Sequence, residues 1–352
     1  MPQLTGIRAV AFLMVFLFHS WFGGYFLWCG VDLFFVLSGY LITGILLEQK
    51  HSSSYFRNFY ISRVVRIFPP FYAVLLLAAL LFRRMDGTQM AVTALFSANL
   101  YLPFAHRLNA PPSFWALSPY WSLALEEQFY LFWPLLVLKL SARQLAWLCL
   151  GMMVLAPVAR LLTLQAFPSA EAAEAVFMLP LNRMDVLAGG ALIALGRQLS
   201  PGNSPLWARL GAGVAAASLL LLAALVALRS DFRQSAGSAI FTTLGYSTIC
   251  LLMCGVILYL VHASSGPVVK LLSWGPVVYL GTVSYTMYLL HYVVIVVLES
   301  GGTTKPGWVL SVGAFSVTLG IAALSWHLME RPLKRLRQRH LASGQAFPSV
   351  VT

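Results

Sequence analysis

The chain has 352 residues, of which 59% are apolar and only 10% charged, against about 25% charged in a soluble domain. Apolar runs near 20 residues recur throughout, which excludes a soluble helical bundle, and their lack of period-two alternation excludes a membrane β-barrel. The net charge of +12 fits basic cytoplasmic loops and a short basic tail able to touch lipid headgroups; no soluble basic face for nucleic acid is available.

Spans are predicted at residues 7–27, 29–48, 67–83, 120–140, 144–165, 183–199, 207–228, 239–261, 276–298 and 307–329. The expectation is an all-α polytopic membrane protein of about ten helices. Residues 1–330 form the membrane domain and 331–352 a basic, then polar, tail. With both termini cytoplasmic, Lys50, Arg57, Arg63, Arg66, Lys139, Arg143, Arg197, Arg209 and Lys270 fall in inner loops, alongside the basic tail. Arg83, Arg84, Arg107, Arg229, Arg233 and Lys305 fall outside, so the asymmetry favours this orientation. The stretch 88–105 is apolar enough to span, but an eleventh crossing would destroy that asymmetry; it is read as a partial or interfacial segment. The apolar run at the N-terminus is too long for a signal peptide. The proline- and aromatic-rich loop at 106–119 reads as an ordered outer loop, a candidate lid. Cys29, Cys149, Cys250 and Cys254 match no zinc spacing and read as small buried hydrophobes.

Ionisable residues at membrane depth are rare and face a protein interior or a wet cavity. Arg8 and His19 lie eleven residues apart, within about 20° of three full helical turns and separated by about 16 Å of rise. They share a face, with Arg8 near the inner mouth and His19 just past mid-membrane. This arrangement suits a path from a cytosolic anion to a general base; a packed histidine with a snorkelling arginine is the alternative. Asp32, in GVDLFFVLSGYLIT, shares a stripe with Gly39 and either orients a histidine or makes an interhelical hydrogen bond. Arg63 and Arg66 share a helix face as a fork for phosphate oxygens, or as ordinary topogenic charge. Glu126 and Glu127 enter a helix from the outer side, and Arg183 and Asp185 sit at another outer helix start. Ser284, Tyr288 and His291 line one face of a later helix, with Tyr285 beside them. The polar residues thus divide into a basic inner mouth of Arg8, Arg63, Arg66 and Glu330 and a mixed acid–base outer chamber.

Five stretches in order along nearly the whole chain resemble the acyltransferase-3 family of membrane O-acyltransferases. They are Leu4-Thr5-Gly6-Ile7-Arg8-Ala9 with His19; GVDLFFVLSGYLIT; Arg63-x-x-Arg66-Ile-Phe-Pro; YWSLALEEQFYLFWP; and SYTMYLLH with Glu330-Arg331-Pro332. Val10 departs from the pattern, standing where many relatives have a second basic residue. The resemblance implies transfer of an acyl group, acetyl in the simplest case, from cytosolic acyl-CoA to a carbohydrate hydroxyl. The acceptor would be a cell-surface polysaccharide or its lipid-linked precursor. His19 matches the family's essential histidine; Arg8, Arg63, Arg66 and Glu330 match its conserved donor-side positions. On this reading His19 is the base or an acyl relay, oriented by Asp32, Glu126 or Glu127. Arg183, Tyr285 or Tyr288 would stabilise the oxyanion, with Asp185 and His291 in the same chamber. Acyl-CoA is expected as co-substrate, with no metal and no permanently bound cofactor, in a bacterial cytoplasmic membrane. The SGNH-type domain of some relatives is not expected. The rival class, a transporter using His, Asp and Glu as a proton relay, lacks the repeated halves and paired broken helices such folds show.

Overall fold

The computed structural model describes residues 1–24, 26–82, 87–105, 116–199, 202, 204–227, 239–300 and 307–342. No strand occurs among the described residues. The helices in chain order are α1 (Pro2–His19), α2 (Gly30–Gln49), α3 (Tyr55–Leu81), α4 (Gly87–Ala94), α5 (Ala98–Tyr101), α6 (Tyr120–Lys139), α7 (Ala142–Ala166) and α8 (Ser169–Met178). They continue with α9 (Pro180–Leu199), α10 (Ser204–Ala227), α11 (Tyr246–His262), α12 (Pro267–Leu272), α13 (Gly275–Ser300), α14 (Gly307–Ser325) and α15 (Arg331–Ala342). A π-turn, Phe241–Gly245, leads into α11, and another, Trp326–Glu330, joins α14 to α15.

Local chemistry sets the ends. Pro2 opens α1, where its missing N–H costs no intrahelical bond. The Ser20 hydroxyl bonds Leu17 O at 3.0 Å, and Gly23 takes a left-handed φ of 55° that turns the chain back toward α2. The first span therefore lies several residues earlier than the predicted 7–27. A capping box of Ser141 with Gln144 starts α7.

Nine helical stretches among the described residues are long and apolar enough to cross a membrane. α6, carrying Glu126, Glu127, Tyr120, Trp121, Tyr130 and Trp133, is not among them. Geometry nevertheless makes it a crossing. Thr5 lies against Gly281, and His19 lies against His291 and Tyr292, so α1 and α13 run the same way. That direction requires α2, α3, α6, α7, α9, α10 and α11 each to reverse the chain between them; without α6 the pair would run opposite. α6 runs alongside α2, with Tyr130 meeting Ser38 and Trp133 Nε1 donating to Thr43 Oγ1 at 2.8 Å. The protein is thus an all-α polytopic membrane protein. The stretch 88–105 forms only α4, α5 and the turn Leu102–Phe104, too short to cross. The Gln128 amide of α6 holds it, donating to Phe96 O at 3.0 Å and to Asn99 Oδ1 at 2.9 Å.

Glycines bring the central helices together. A Cβ on Gly39 would strike the backbone of Leu187, and one on Gly190 the backbone of Val36, so α2 and α9 touch main chain to main chain. Beyond Glu330 the chain continues as α15, which leans on α3.

Candidate functional site

At the end of the bundle where α1 begins, basic side chains converge. Arg8 of α1, Arg63 and Arg66 of α3 and Arg337 and Lys334 of α15 are linked by electrostatic contacts that run through Arg66. Glu126 of α6 lies within reach of Arg8, Arg63 and Arg66, and Glu127 within reach of Arg63. The Arg63 guanidinium sits between the rings of Phe59 and Tyr130, 5.7 and 5.8 Å from their centroids. Its Nε has no hydrogen-bond partner among the described residues. Tyr130 hydrogen-bonds Ser38, which also reaches Glu126. Glu330 Oε1 accepts from Thr286 Oγ1 at 2.7 Å and Ser325 Oγ at 3.0 Å, tying the last span to α13, and it faces Arg66. The Tyr285 hydroxyl donates to Ile67 O at 3.1 Å, which places it at this basic end.

The glutamates therefore do not occupy the chamber expected for them. They enter α6 two turns deeper than its start, and Ser122, one turn before Glu126 on the same face, takes the place nearer the histidines.

At the other end of α1, His19 is the helix's last residue rather than a mid-span one, because Ser20 and the turn through Gly23 stop the helix there. Its ring is 5.3 Å from that of His291 and 4.6 Å from that of Tyr292. His291 is fully buried, with Nδ1 2.6 Å from Tyr288 O. A carbonyl only accepts, so Nδ1 carries the proton and Nε2 presents a lone pair. That Nε2 has no partner among the described residues. The hydroxyls of Tyr288 and Ser122 are 2.6 Å apart, each within 3.1 Å of Pro119 O. A cavity of about 150 Å³ opens beside His19, walled by Trp28, Trp121, Glu174, Phe177 and Tyr288 among others. Ser118 and Pro119 line it too; residues 106–115 of the expected lid lie outside the described residues.

Between the two ends, Arg8, Phe12, Val15 and His19 share one face of α1. Phe12 and Val15 are buried, and Phe12 stands edge-on to His291 at 6.0 Å. Glu126 lies within electrostatic reach of Tyr288, so α6 and α13 also connect the ends.

Asp32, Arg183 and Asp185 do not join His19. Asp32 pairs with Arg183, leaving its Oδ2 without a hydrogen-bond partner among the described residues. Asp185 Oδ2 takes both Arg160 Nη1 and Nη2, at 3.0 and 2.9 Å, and Arg160 Nη2 also donates to Ser247 Oγ at 2.7 Å. Both guanidiniums lie over the Tyr246 ring, at 5.7 Å for Arg160 and 5.1 Å for Arg183. The paired charges clamp α2, α7, α9 and α11. Arg160 is not among the candidates singled out from the sequence, although an arginine inside AWLCLGMMVLAPVARLL is as unusual as a histidine there. The other residues not singled out, Lys334, Arg337, Trp28, Trp121 and Glu174, carry no such signal, because only the packing brings them to a site. The four cysteines are free thiols; Cys29, Cys149 and Cys250 are buried.

Comparison with known proteins places this arrangement. Residues 1–327 match the family described as Acyltransferase domain. YrhL of Bacillus subtilis (strain 168), provisionally named a peptidoglycan O-acetyltransferase, is 31% identical over 95% of this chain and 55% of its own length. The peptidoglycan O-acetyltransferase OatA of Listeria monocytogenes is 29% identical over 95% of this chain and 56% of its own. SAS0844 of Staphylococcus aureus (strain MSSA476), provisionally named an O-acetyltransferase, is 27% identical over the same share of this chain and 57% of its own. The chain thus spans about half the length of these curated relatives. No solved structure matches it. A family match over nearly the whole chain, joined to membrane-crossing helices that gather arginines at one end and histidines at the other, shows that the chain belongs to the acyltransferase-3 family.

Proposed function

We propose that this protein transfers an acyl group, acetyl in the first instance, from acyl-CoA at its basic end to a carbohydrate hydroxyl at its histidine end. The observation that carries this reading is the pairing of two unlike sites along one face of α1. At one end Arg8, Arg63, Arg66, Lys334 and Arg337 outnumber Glu126, Glu127 and Glu330. Like charges held so close call for a polyanion, and the phosphates of CoA supply one. At the other end His19 adjoins His291 and an open cavity.

The chemistry follows from the side chains. An alcohol is too weak an acid to attack a thioester unaided, and an imidazole, ordinarily titrating at about 6.5, suits the task of base. His19 takes the hydroxyl proton as the oxygen bonds to the acyl carbon; the carbon–sulfur bond breaks and the CoA thiolate leaves with a proton. Tyr288, whose residue lines the cavity, is the candidate donor for the developing oxyanion once its hydroxyl turns from Pro119 O. The bare Nε2 of His291 is an acceptor for an N–H of His19, which would set its tautomer, the role expected of Asp32, Glu126 or Glu127. The relatives' names direct the search for the acceptor to peptidoglycan and other envelope glycans. The basic end then faces the cytosol, where acyl-CoA is found, in the bacterial cytoplasmic membrane.

The test uses membranes containing the protein and acetyl-CoA labelled in the acetyl group. Wild-type protein transfers label to envelope glycan and releases CoA thiol; His19→Ala is expected to do neither while retaining acetyl-CoA binding. Full transfer by His19→Ala would remove His19 from the mechanism. Mass spectrometry of surface glycans with and without the protein identifies the ester.

A further inference from the structure

A second cleft, of about 250 Å³, lies between α3 and the last span, with Thr286 and Leu290 of α13 at its back. Pro70, Ala73, Val74 and Leu77 form one wall, a single stripe along about 10 Å of α3. Ile321, Leu324, Ser325 and Leu328 repeat that spacing on the opposite wall, and Met329 continues it to the turn that holds Glu330. The side chains are almost all apolar, and the cleft opens outward, with Leu324 and Leu328 60% and 71% exposed. It is a groove in the lipid-facing surface that runs lengthwise toward the basic end.

Both ends of the groove bear on its occupant. Lipid tails are as apolar as leucine, so the groove alone selects a chain by shape and not by headgroup. Beyond Met329 the chemistry changes. Arg331 comes two residues later, and Arg335 stands one turn further on the same face of α15. Both are exposed, whereas Lys334 and Arg337, on another face, turn toward Arg66. The helix α15 thus carries two basic faces, one serving the interior and one left for the surroundings. Leu336, beside Arg335, is exposed as well, which suits a helix lying at the boundary of hydrocarbon and headgroups. No acidic residue occurs between Arg331 and Ala342.

We propose that the groove and the outer face of α15 together bind one anionic glycerophospholipid of the surrounding leaflet. One acyl chain lies between α3 and the last span, and Arg331 and Arg335 hold the headgroup phosphate. A zwitterionic lipid offers the same chain, but its ammonium offsets the charge that the arginines attract. The chain lies along Thr286 and Ser325, whose hydroxyls donate to Glu330 at 2.7 and 3.0 Å. The lipid therefore shields those bonds and braces the joint between α13 and the last span. The site requires no chemistry at the histidine end, so it goes beyond the O-acyltransferase reading.

The test uses the full chain in phosphatidylcholine nanodiscs doped with phosphatidylglycerol that carries a diazirine in one acyl chain. After illumination, peptide mass spectrometry is expected to find the label concentrated in residues 70–77 and 321–329, and unlabelled phosphatidylglycerol to compete it away. Arg331→Gln/Arg335→Gln is expected to cut labelling there about tenfold, with the unfolding temperature unmoved because both side chains are exposed. Ala73→Trp fills the groove from its open side and is expected to abolish labelling within it, but not on the rest of the lipid-facing surface. Label spread evenly over the lipid-facing helices overturns the proposal, as does undiminished labelling of the arginine double variant. Equal labelling of the groove by a phosphatidylcholine probe bearing the same diazirine overturns the assignment to an anionic lipid.

Discussion

Asp32 and His19 show how differently two buried ionisable residues can be used. Asp32 is 1% exposed and held by Arg183, so its removal strands a guanidinium in a low-dielectric interior. Breaking such a pair costs about 3–5 kcal/mol, whereas replacing both partners by apolar side chains is often nearly neutral. Asp32→Asn is therefore expected to lower the unfolding temperature in detergent micelles sharply, and the Asp32→Leu/Arg183→Met double variant to recover most of the loss. A double-mutant cycle read by thermal unfolding measures it; additive losses would show that the pair is not coupled. His19, by contrast, bonds to no carboxylate among the described residues, and its replacement is expected to affect turnover far more than stability.

The helices owe their placement to two devices. Where α2 meets α9, Gly39 and Gly190 let the backbones touch. Gly190→Leu would drive a side chain into the main chain of Val36, and overpacking of this kind costs about 1–3 kcal/mol or more. Loss of stability and a weakened Asp32–Arg183 contact are expected, and thermal unfolding of the variant on wild-type and Asp32→Asn backgrounds checks both. The other device is the long last span, which carries α15 to the basic end. Replacing Lys334 and Arg337 together by alanine is expected to raise KM for acetyl-CoA several-fold and to flatten its dependence on ionic strength. Titration of acetyl-CoA at low and high salt tests this; an unchanged salt slope would leave α15 a packing element.

At the scale of the whole molecule, the parallel course of α1 and α13 makes α6 a crossing despite its glutamates. The loops before α3 and before α12 then lie on one side of the membrane and the turn after α1 on the other. Cysteines placed at Ser53 and Ser265 are expected to react with an impermeant maleimide from the cytosolic side only, and one at Gly23 from the opposite side only. Labelling of Ser53→Cys and Ser265→Cys from different sides would overturn the crossing count. The native thiols add little background, since Cys29, Cys149 and Cys250 are buried. The same arrangement sets a basic chamber and a histidine chamber at opposite ends of one helix, joined through Phe12, Glu126 and Tyr288.

By itself the sequence determined that the chain is a helical membrane bundle and where nearly every helix runs. In lipid each segment must satisfy its own backbone hydrogen bonds, so apolar length alone reveals it. It also showed that Arg8 and His19 share a face, because that follows from the helical repeat within one segment. Only the tertiary structure decided which polar groups meet. Asp32 reaches Arg183 instead of a histidine, Glu126 joins the arginines, and His291 comes beside His19. Those meetings depend on how each helix is rotated and which neighbour the glycines admit, and no periodicity within a single segment carries that information. Trp28, Trp121 and Glu174 come to line the cavity beside His19 for the same reason: unremarkable in their own segments, they converge through the packing of the turn before α2 with α6 and α8.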